Sequence, residues 1–453
     1  DTVDIDINWG DGNIINYTTT GTKSHTYSAP GTYVVKTSGA LLGVAAYVSV
    51  RGGASLVQKT GAVVGITGLT HFFYTFRYCT NLTSDNIPDD LFKYYPNVSD
   101  HAFQGVFNGC TSLTSIPTDL FRYNVDVAGD GFRDTFRGCT GITSIPTDLF
   151  RYNTQVGGYR GFRYTFYNCT SLTTIPDDLF RYNTLIEADV FNSTFRNCYE
   201  LTAIPADLFK YNINLTAFNF YMTFGNCSKL TSIPQDLFRY NTLVSSHGFE
   251  RTFAGCAGLT SIPQGLFRHN TNISSHGVTG VFSGCTGLTS IPTDLFKYNT
   301  ALDLDGFRDT FIGCTGLTSI PTDLFRYNTL VVGDGFVGTF NGCTGLTSIP
   351  EYLFRYNLRG NNWQYCFQNC PNLTINPNIF YADGEQATRF GSGQLNKFYR
   401  AFYLEDSFTG IQGAAPDLWN CAGRLETTTG CFTGQSTASL TNYNDIPTAW
   451  GGG

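Results

Sequence analysis

The sequence predicts an α/β repeat solenoid of about ten coils of ~29 residues, with a small β cap at its N-terminus and an irregular cap at its C-terminus. Three observations predict it. Cysteines recur at positions 79, 110, 139, 169, 198, 227, 256, 285, 314, 343 and 370, and every step from Cys169 to Cys343 is 29 residues. One template, F-x-x-T-F-x-G/N-C-x-x-L-T-x-I-P-x-D-L-F-R-Y-N, lies over each step. The chain holds 38 Phe and 27 Tyr, whereas charged residues make up only 14% of it, against about 25% in an average domain. Packing and hydrogen-bond ladders, more than surface charge, must hold such a chain together.

The elements follow in order. Residues 1–39 read as a small β module. Val3, Ile5, Ile7 and Trp9 alternate with Asp4, Asp6 and Asn8, the pattern of a half-buried strand. Gly10-Asp11-Gly12 is a turn, and the stretch from His25 to Lys36 reads as a second turn and strand. Residues 40–375 form the solenoid, its first coil over 40–70 being degenerate. In each later coil a large apolar residue stands seven before the cysteine (Phe132, Phe162, Phe249), a Phe stands three before it (Phe136, Phe253), and Gly or Asn directly precedes it (Gly109, Gly138, Asn168) except at Cys79, which Tyr78 precedes. Spacing of i, i+4, i+7 predicts a short helix that the Gly or Asn stops in the left-handed conformation. Leu-Thr-x-Ile-Pro predicts a brief parallel strand ended by proline. The following Asp-Leu-Phe-Arg-Tyr-Asn predicts a second helical turn with Asn124, Asn153 and Asn183 as its stop. Residues 376–453 read as degenerate coils and a terminal cap, with Phe398, Phe402, Trp419 and Phe432 as apolar anchors.

Four sets of residues are candidates for chemistry. The cysteine ladder (Cys110, Cys139, Cys169, Cys198, Cys227, Cys256, Cys285, Cys314, Cys343) places one thiol in each coil, and C-x-x-C pairs are lacking, so buried thiols filling small core slots are expected rather than zinc or redox centres. Cys366–Cys370 and Cys421–Cys431 are the pairs open to a disulfide. A Lys or Arg followed by Tyr or His recurs from position 93 to position 355. This stripe is suited either to sugars and acidic partners, or to self-stacking in which Asp119 and its copies pair with Arg122 and its copies along the stack while Tyr packs between coils. The two residues after the first Phe of each coil vary: Arg133-Asp134, Arg163-Tyr164, Tyr221-Met222, Glu250-Arg251 and Arg308-Asp309. So do the return loops at 125–131, 154–161 and 242–248. Variation within one template marks surface free of packing constraint, where specific binding would reside. Asp4-x-Asp6-x-Asn8 and Asp303-x-Asp305 are oxygen-rich without matching a calcium loop. The six histidines give no zinc spacing and no nucleophile elbow. No cofactor, metal or catalytic constellation is expected.

The recurring units from Phe136 to Pro146 and from Phe311 to Pro321 resemble those of BspA-type leucine-rich repeat proteins. Ile7-Asn8-Trp9-Gly10-Asp11-Gly12, with His25-Thr26-Tyr27 and Gly31-Thr32-Tyr33, resembles the signatures of polycystic-kidney-disease-type β modules. Ala415-Pro416-Asp417-Leu418-Trp419 and the stretch from Asn442 to Pro447 resemble the ends of such repeat proteins in gut bacteria and their phages. The resemblance implies a leucine-rich-repeat-like fold and a non-enzymatic extracellular role: a bacterial surface adhesin, or a phage fibre contacting a cell surface. Its partner would be a protein or glycan of a host or neighbouring cell. The alternative is a structural rod or filament subunit that self-associates through its ends, for which strand 3–9 pairing with a neighbour would be the sign. A net charge of −7 argues against nucleic-acid binding, and no apolar run is long enough to span a membrane. No signal peptide is visible and the numbering starts at Asp1 without Met, which points to a processed chain or a fragment.

Overall fold

The computed structural model describes residues 2–21, 23–29, 35–42, 66–67, 69–382, 384–385, 390, 395–405, 410–421 and 424–452. Most of the degenerate coil expected over 40–70 lies outside the described residues.

Four strands open the chain: β1 (Thr2–Asn8), β2 (Ile14–Tyr17), β3 (Lys36–Leu42) and β4 (Ile66–Thr67), in the order β2-β1-β3-β4. β1 runs antiparallel to both β2 and β3, and β4 joins β3 in parallel. The alternation in β1 buries Ile5 and leaves Asp4 and Asp6 exposed. β3 extends to Leu42, past residue 39. The Gly-Asp-Gly and His-Thr-Tyr segments meet. The His25 ring stacks on Trp9 with centroids 5.1 Å apart, its Nε2 lies 2.6 Å from Asp11 Oδ2, and the Tyr27 hydroxyl donates to the Trp9 carbonyl at 2.8 Å. The bond to His25 holds the Asp11 carboxyl below its ordinary value.

The coils stack in register, but they are built otherwise than predicted. Among the described residues there is no α-helix, only three-residue 3-10 turns at Ser84–Asn86, Tyr443–Asp445 and Thr448–Trp450. Both expected helices are strings of turns, and the α part of the predicted α/β class is not realised. The coil that ends at Cys139 shows why. Arg133, Thr135, Arg137 and Cys139 donate their backbone N–H three residues back within the coil, to Asp130, Phe132, Asp134 and Phe136. The residues between them, Phe132, Asp134, Phe136 and Gly138, donate instead to the neighbouring coil, at Gly161, Arg163, Thr165 and Tyr167, over 2.8–3.1 Å. A helix would send every one of these donors four residues back. Residues at positive φ punctuate the string. Gly138 (73°), Asn168 (61°) and Asn197 (63°) precede their cysteines as predicted, and Asp134 (56°), Tyr164 (58°) and Ser193 (54°) repeat the conformation four residues earlier.

The predicted Leu-Thr-x-Ile-Pro strands do not form as a ladder. One backbone bond per coil joins neighbours there, as from Thr143 to Thr114 and from Thr173 to Thr143. Proline closes the segment before a second rung is laid. Parallel pairing in that segment appears toward the C-terminal end, where Ser348 bridges Thr374 and Thr374–Ile375 pairs with Gln412–Gly413. In the regular coils the strand pairing lies in the return loops: β5 (Gly157–Tyr159) pairs in parallel with β6 (Leu185–Ala188), and isolated bridges join Asp100 to Ala128 and Leu304 to Val332.

Side chains hold the register. Asn153 Nδ2 donates to the carbonyls of Phe121 (3.0 Å) and Asn124 (2.8 Å) of the preceding coil, and the same pair of bonds recurs from Asn124 to Asn357. The asparagines expected to stop helices are therefore fully buried rungs between coils. Thr135 Oγ1 donates to the Phe103 carbonyl at 3.1 Å, and Cys139 Sγ donates to the Phe107 carbonyl at 3.1 Å. Each regular coil thus sends three side-chain donors to phenylalanine carbonyls of the coil before it. The rings stack in the same register: Phe132 on Phe162 (5.8 Å), Phe136 on Phe166 (5.6 Å) and Phe121 on Phe150 (6.2 Å). Burying a phenylalanine in such a column stabilises by roughly 1.5–3 kcal/mol.

All fourteen cysteines are free and buried, so neither Cys366–Cys370 nor Cys421–Cys431 is a disulfide. Cys366 stands where most coils carry the buried threonine, and Cys370 continues the ladder by donating to the Phe340 carbonyl. The stack also continues where the template decays. Phe367, Phe402 and Phe432 stack at 5.5 and 5.3 Å, and Trp450 packs on Phe398 at 5.9 Å. The C-terminal pairs β7 (Thr374–Ile375) with β9 (Gln412–Gly413), and β8 (Leu395–Lys397) with β10 (Arg424–Thr427), are parallel.

Candidate recognition face

The turns before each cysteine present two kinds of position. The first Phe, the Thr, the second Phe and the Cys point into the core. The residues between them range from buried (Asp134, Asn192, Ser193) to exposed (Arg137, Arg251), and the register aligns them from coil to coil. Arg133, Asp134, Arg163, Tyr164, Tyr221, Glu250, Arg251, Arg308 and Asp309 therefore lie along one face in adjoining rows. Their residue types differ from coil to coil while the core positions largely repeat, with Val278 and Trp363 in place of the first Phe and Val106, Val281 and Cys366 in place of the Thr.

Toward the N-terminus this face is built of arginine, tyrosine and a few half-covered acids. Arg133 Nη1 pairs with Asp130 at 3.1 Å, and Arg137 Nη1 pairs with Asp134 at 3.0 Å. Asp134 is nearly buried and bridges Arg133 and Arg137. One coil on, Arg163 and Arg160 both pair with the buried Asp189, and Asn192 Nδ2 donates to the same carboxylate at 2.7 Å. Burial opposes the charge on Arg163, but the Tyr164 hydroxyl and Asp189 outweigh it and hold its pKa above the ordinary value.

The middle and far coils carry other groups. His247 stacks between Phe218 (4.3 Å) and His276 (4.5 Å), and its Nδ1 lies 2.6 Å from Glu250. Burial, and then the Glu250 charge, raise the pKa of Tyr221. Further along, Arg308 reaches Asp334 at 3.1 Å. Burial raises the Asp309 carboxyl, although Arg308 and Arg251 pull against it. The structure thus brings Arg133, Asp134, Arg163 and Tyr164 into one network, places Tyr221, Glu250 and Arg251 in the adjoining coils, and sets Arg308 and Asp309 in a separate acidic stretch.

Sequence reasoning missed one row of this face, two residues before each cysteine: Arg77, Asn108, Arg137, Tyr167 and Arg196, followed by Gly225 and Ala254. The signal was there, because this row varies as much as the two that were singled out. Arg137 sits 4.9 Å from the Tyr167 ring and 5.3 Å from Tyr164.

The Lys/Arg-Tyr stripe has a different geometry. Where the stripe carries an acid three residues before the cation, the two pair within the coil rather than along the stack: Arg122 with Asp119, Arg151 with Asp148 and Arg181 with Asp178, each at 3.3 Å. The cations join the coils instead. Arg151 lies 5.7 Å from its own Tyr152 and 5.4 Å from Tyr182 of the next coil, and Arg181 lies 5.7 Å from Tyr182 and 5.1 Å from Tyr211. A ring such as Tyr182 is approached by two cations, one from its own coil and one from the coil before.

The cysteine ladder offers no reactive centre. Burial raises the thiols far above their ordinary value, with Cys314 and Cys370 pushed up to about 12, so nucleophilic thiolate is suppressed. Among the described residues no cluster of His, Cys, Asp and Glu is arranged to hold a metal ion, and no helix is long and apolar enough to cross a membrane. Asp4 and Asp6 both accept hydrogen bonds from Asn16 Nδ2, at 2.8 and 3.0 Å.

No protein-family model matches the sequence, and no curated protein does. Among solved structures, the crystal structure of a TLR13–ssRNA13 complex aligns over 77% of this chain and 81% of that one, at 12% identity and a TM-score of 0.10. That likeness is too low to bear on fold or ligand.

Proposed function

We propose that this chain is a non-enzymatic extracellular recognition protein: a BspA-type leucine-rich-repeat adhesin of a bacterial surface, or a fibre on a virion, that contacts a protein or glycan of another cell. One observation carries the reading. Along a stack whose core repeats coil after coil, one face changes its side chains at every step, and several of these, including Tyr164 and Arg251, sit at positive φ. A bulky residue in that conformation costs roughly 1–2 kcal/mol, and Gly105, Gly280 and Gly338 occupy the same row without that cost. Side chains kept against a conformational penalty are read as kept for what they contact. The Phe-x-x-Cys-Thr-x-Leu-Thr-Ser-Ile-Pro units support the family, and the family supports the location.

The test is binding of fluorescently labelled protein to bacterial and animal cells by flow cytometry. A variant with Arg163→Ser, Tyr221→Ser and Arg251→Gly is compared with one altered in the regular stripe at Arg151→Gln and Arg239→Gln. The reading expects binding that the first variant loses and the second keeps. No binding to any cell type, or equal loss in both variants, sinks it.

A filament subunit remains the second reading, on a specific observation. Strand β1 cannot recruit a neighbour, since β2 and β3 flank it, which corrects the expectation for strand 3–9. The outer edge of β2 has no partner strand among the described residues, and Ile14 and Ile15 are exposed there. Light scattering and electron microscopy at rising concentration test it. Discrete short rods without growth exclude polymerisation, and growth that Ile14→Lys abolishes establishes it.

A further inference from the structure

We propose that a groove on this face, floored by Gly109 and Gly138, binds an acidic saccharide. The inference rests on the recognition reading above and gives that surface a ligand class.

The groove arises from one departure in a single row. Directly before the cysteine, the first coil carries Tyr78, the next two carry Gly109 and Gly138, and the three after those carry Asn168, Asn197 and Asn226. The Tyr78 ring lies where a Cβ on Gly109 would stand, 2.3 Å from that position. At Gly138 an added Cβ would meet only Gly109, with its Cα at 3.7 Å, so this step is open. Asn168 closes the far end, and Thr111 and Thr140 line one rim.

The walls supply rings and charge. On the near side the Arg77 guanidinium lies 4.8 Å from Tyr74 and 4.6 Å from Tyr78, and its Nη2 donates to the Tyr78 hydroxyl at 3.0 Å. On the far side Tyr167 stands between Arg137 at 4.9 Å and Arg196 at 5.7 Å. Arg137 is paired with Asp134, but among the described residues no carboxylate lies within ion-pair distance of Arg77 or Arg196. Arg137 is the arginine in the groove lining; Arg77 and Arg196 lie behind it, against the lining rings of Tyr78 and Tyr167, without an ion-pair partner among the described residues, on a chain whose net charge is −7.

The chemistry that fits is a pyranose carrying a carboxylate. Its C–H face packs on tyrosine, its hydroxyls meet the threonine hydroxyls and the Asn168 amide, and its carboxylate meets arginine. A second glycine run in the same row, Gly255, Gly284, Gly313 and Gly342, has Ala254, Ser283, Ile312 and Asn341 beside it in place of Arg137 and Tyr167. It has the open floor without the walls, and serves as an internal control.

The probes are a uronic-acid oligosaccharide and its carboxyl-reduced, neutral counterpart, titrated calorimetrically into the full chain. The acidic sugar should bind at least about tenfold more tightly than the neutral one. Gly138→Asn fills the groove with the residue that the following coils carry at the same positive φ, so the fold tolerates it. It should weaken binding at least about tenfold, with the unfolding midpoint unchanged. Gly313→Asn should leave binding unchanged. Equal affinity for the two sugars, no binding of the acidic sugar, or full affinity in Gly138→Asn overturns the proposal. A poly-glutamate peptide that displaces the sugar and binds more tightly would assign the groove to a protein partner and overturn the saccharide. Cell binding that survives Gly138→Asn but not the Arg163/Tyr221/Arg251 variant would refute the groove while leaving the recognition reading intact.

Discussion

Arginine and tyrosine meet on two surfaces of this stack, and the two arrangements mean different things. In the regular stripe most cations have a carboxylate three residues before them and a tyrosine ring beside them, as at Arg151, although Arg268 follows Gly265 and Arg355 pairs with Glu385 instead. On the recognition face the same residue types occur irregularly, share buried acids such as Asp189, and leave Arg77 and Arg196 without a carboxylate among the described residues. A repeated residue is explained by the copy of itself in the next coil. An unrepeated one needs a partner of another kind. The comparison can be broken or sharpened by perturbing first what every coil shares, then what only one coil has.

The largest effect should come from the shared thiols. Burial raises the pKa of each, and Cys314 and Cys370 reach about 12 from an ordinary 9.0. The fold keeps the thiol neutral, whereas the unfolded chain ionises it above its ordinary value. The stabilisation is therefore complete below pH 9.0 and is lost as pH rises toward about 12. Each buried thiol costs about 1.4 kcal/mol per pH unit in that window. Urea midpoints measured from about pH 8 to pH 11 should fall steeply, and a Cys256→Ala, Cys285→Ala variant should fall less steeply. Parallel slopes would mean that the ladder is not buried as described.

Next comes the asparagine rung. Asn241 Nδ2 donates to the carbonyls of Phe209 at 3.0 Å and Asn212 at 2.9 Å, and the residue is fully buried. Asn241→Asp sets a carboxylate against those two carbonyls and should cost about 3–5 kcal/mol near neutral pH. The deficit should shrink on acidification, as the carboxyl takes a proton and can donate to one of them. Chemical denaturation at two pH values checks this, and a loss that does not depend on pH would rule out the charge as its cause.

Much of this regular half was legible in the sequence. The register, the buried Phe and Cys positions, and the left-handed residue at Gly138 and Asn168 follow from which residue types recur and at what spacing. The destination of the backbone donors did not follow. A helix and a string of turns with a left-handed residue every fourth position put the same side chains on the same face, so the spacing of Phe132, Phe136 and Cys139 cannot separate them. The decision lies in Phe132, Asp134, Phe136 and Gly138 donating to the next coil, a contact between segments far apart in sequence. Asn153 was misread for the same reason: asparagine suits a stop and a ladder equally until the neighbouring carbonyls are in place. On the variable face the sequence marked the two rows after the first Phe but not that of Arg137 and Tyr167. What it could not supply was which of those arginines meet an acid, because Asp189 reaches Arg163 from the following coil.

Arg163 is the single-coil counterpart. Arg163→Ala leaves Asp189 with Arg160 at 3.2 Å and Asn192 at 2.7 Å, and should cost about 1–3 kcal/mol through the half-satisfied buried carboxylate. Asp189→Asn in the same chain should recover part of that loss. Additive losses in the double variant would show that the two residues do not act on each other.

The smallest effect is expected in the stripe, and it decides the comparison. Arg151 and Asp148 are both nearly half exposed, at 45% and 43% of their side-chain surface. An exposed pair of this kind gains little, because water screens it and ordering two long side chains opposes it. Arg151→Gln keeps a stem that can lie over Tyr152 and removes only the charge. The midpoint of unfolding should not move measurably at moderate salt, and wild type and variant should respond alike when salt is raised. A loss as large as that of Arg163→Ala would show that the stripe carries the fold through its cations. In that case its repetition would reflect a requirement for stability, and regularity alone would no longer separate a self-satisfied surface from one awaiting a partner.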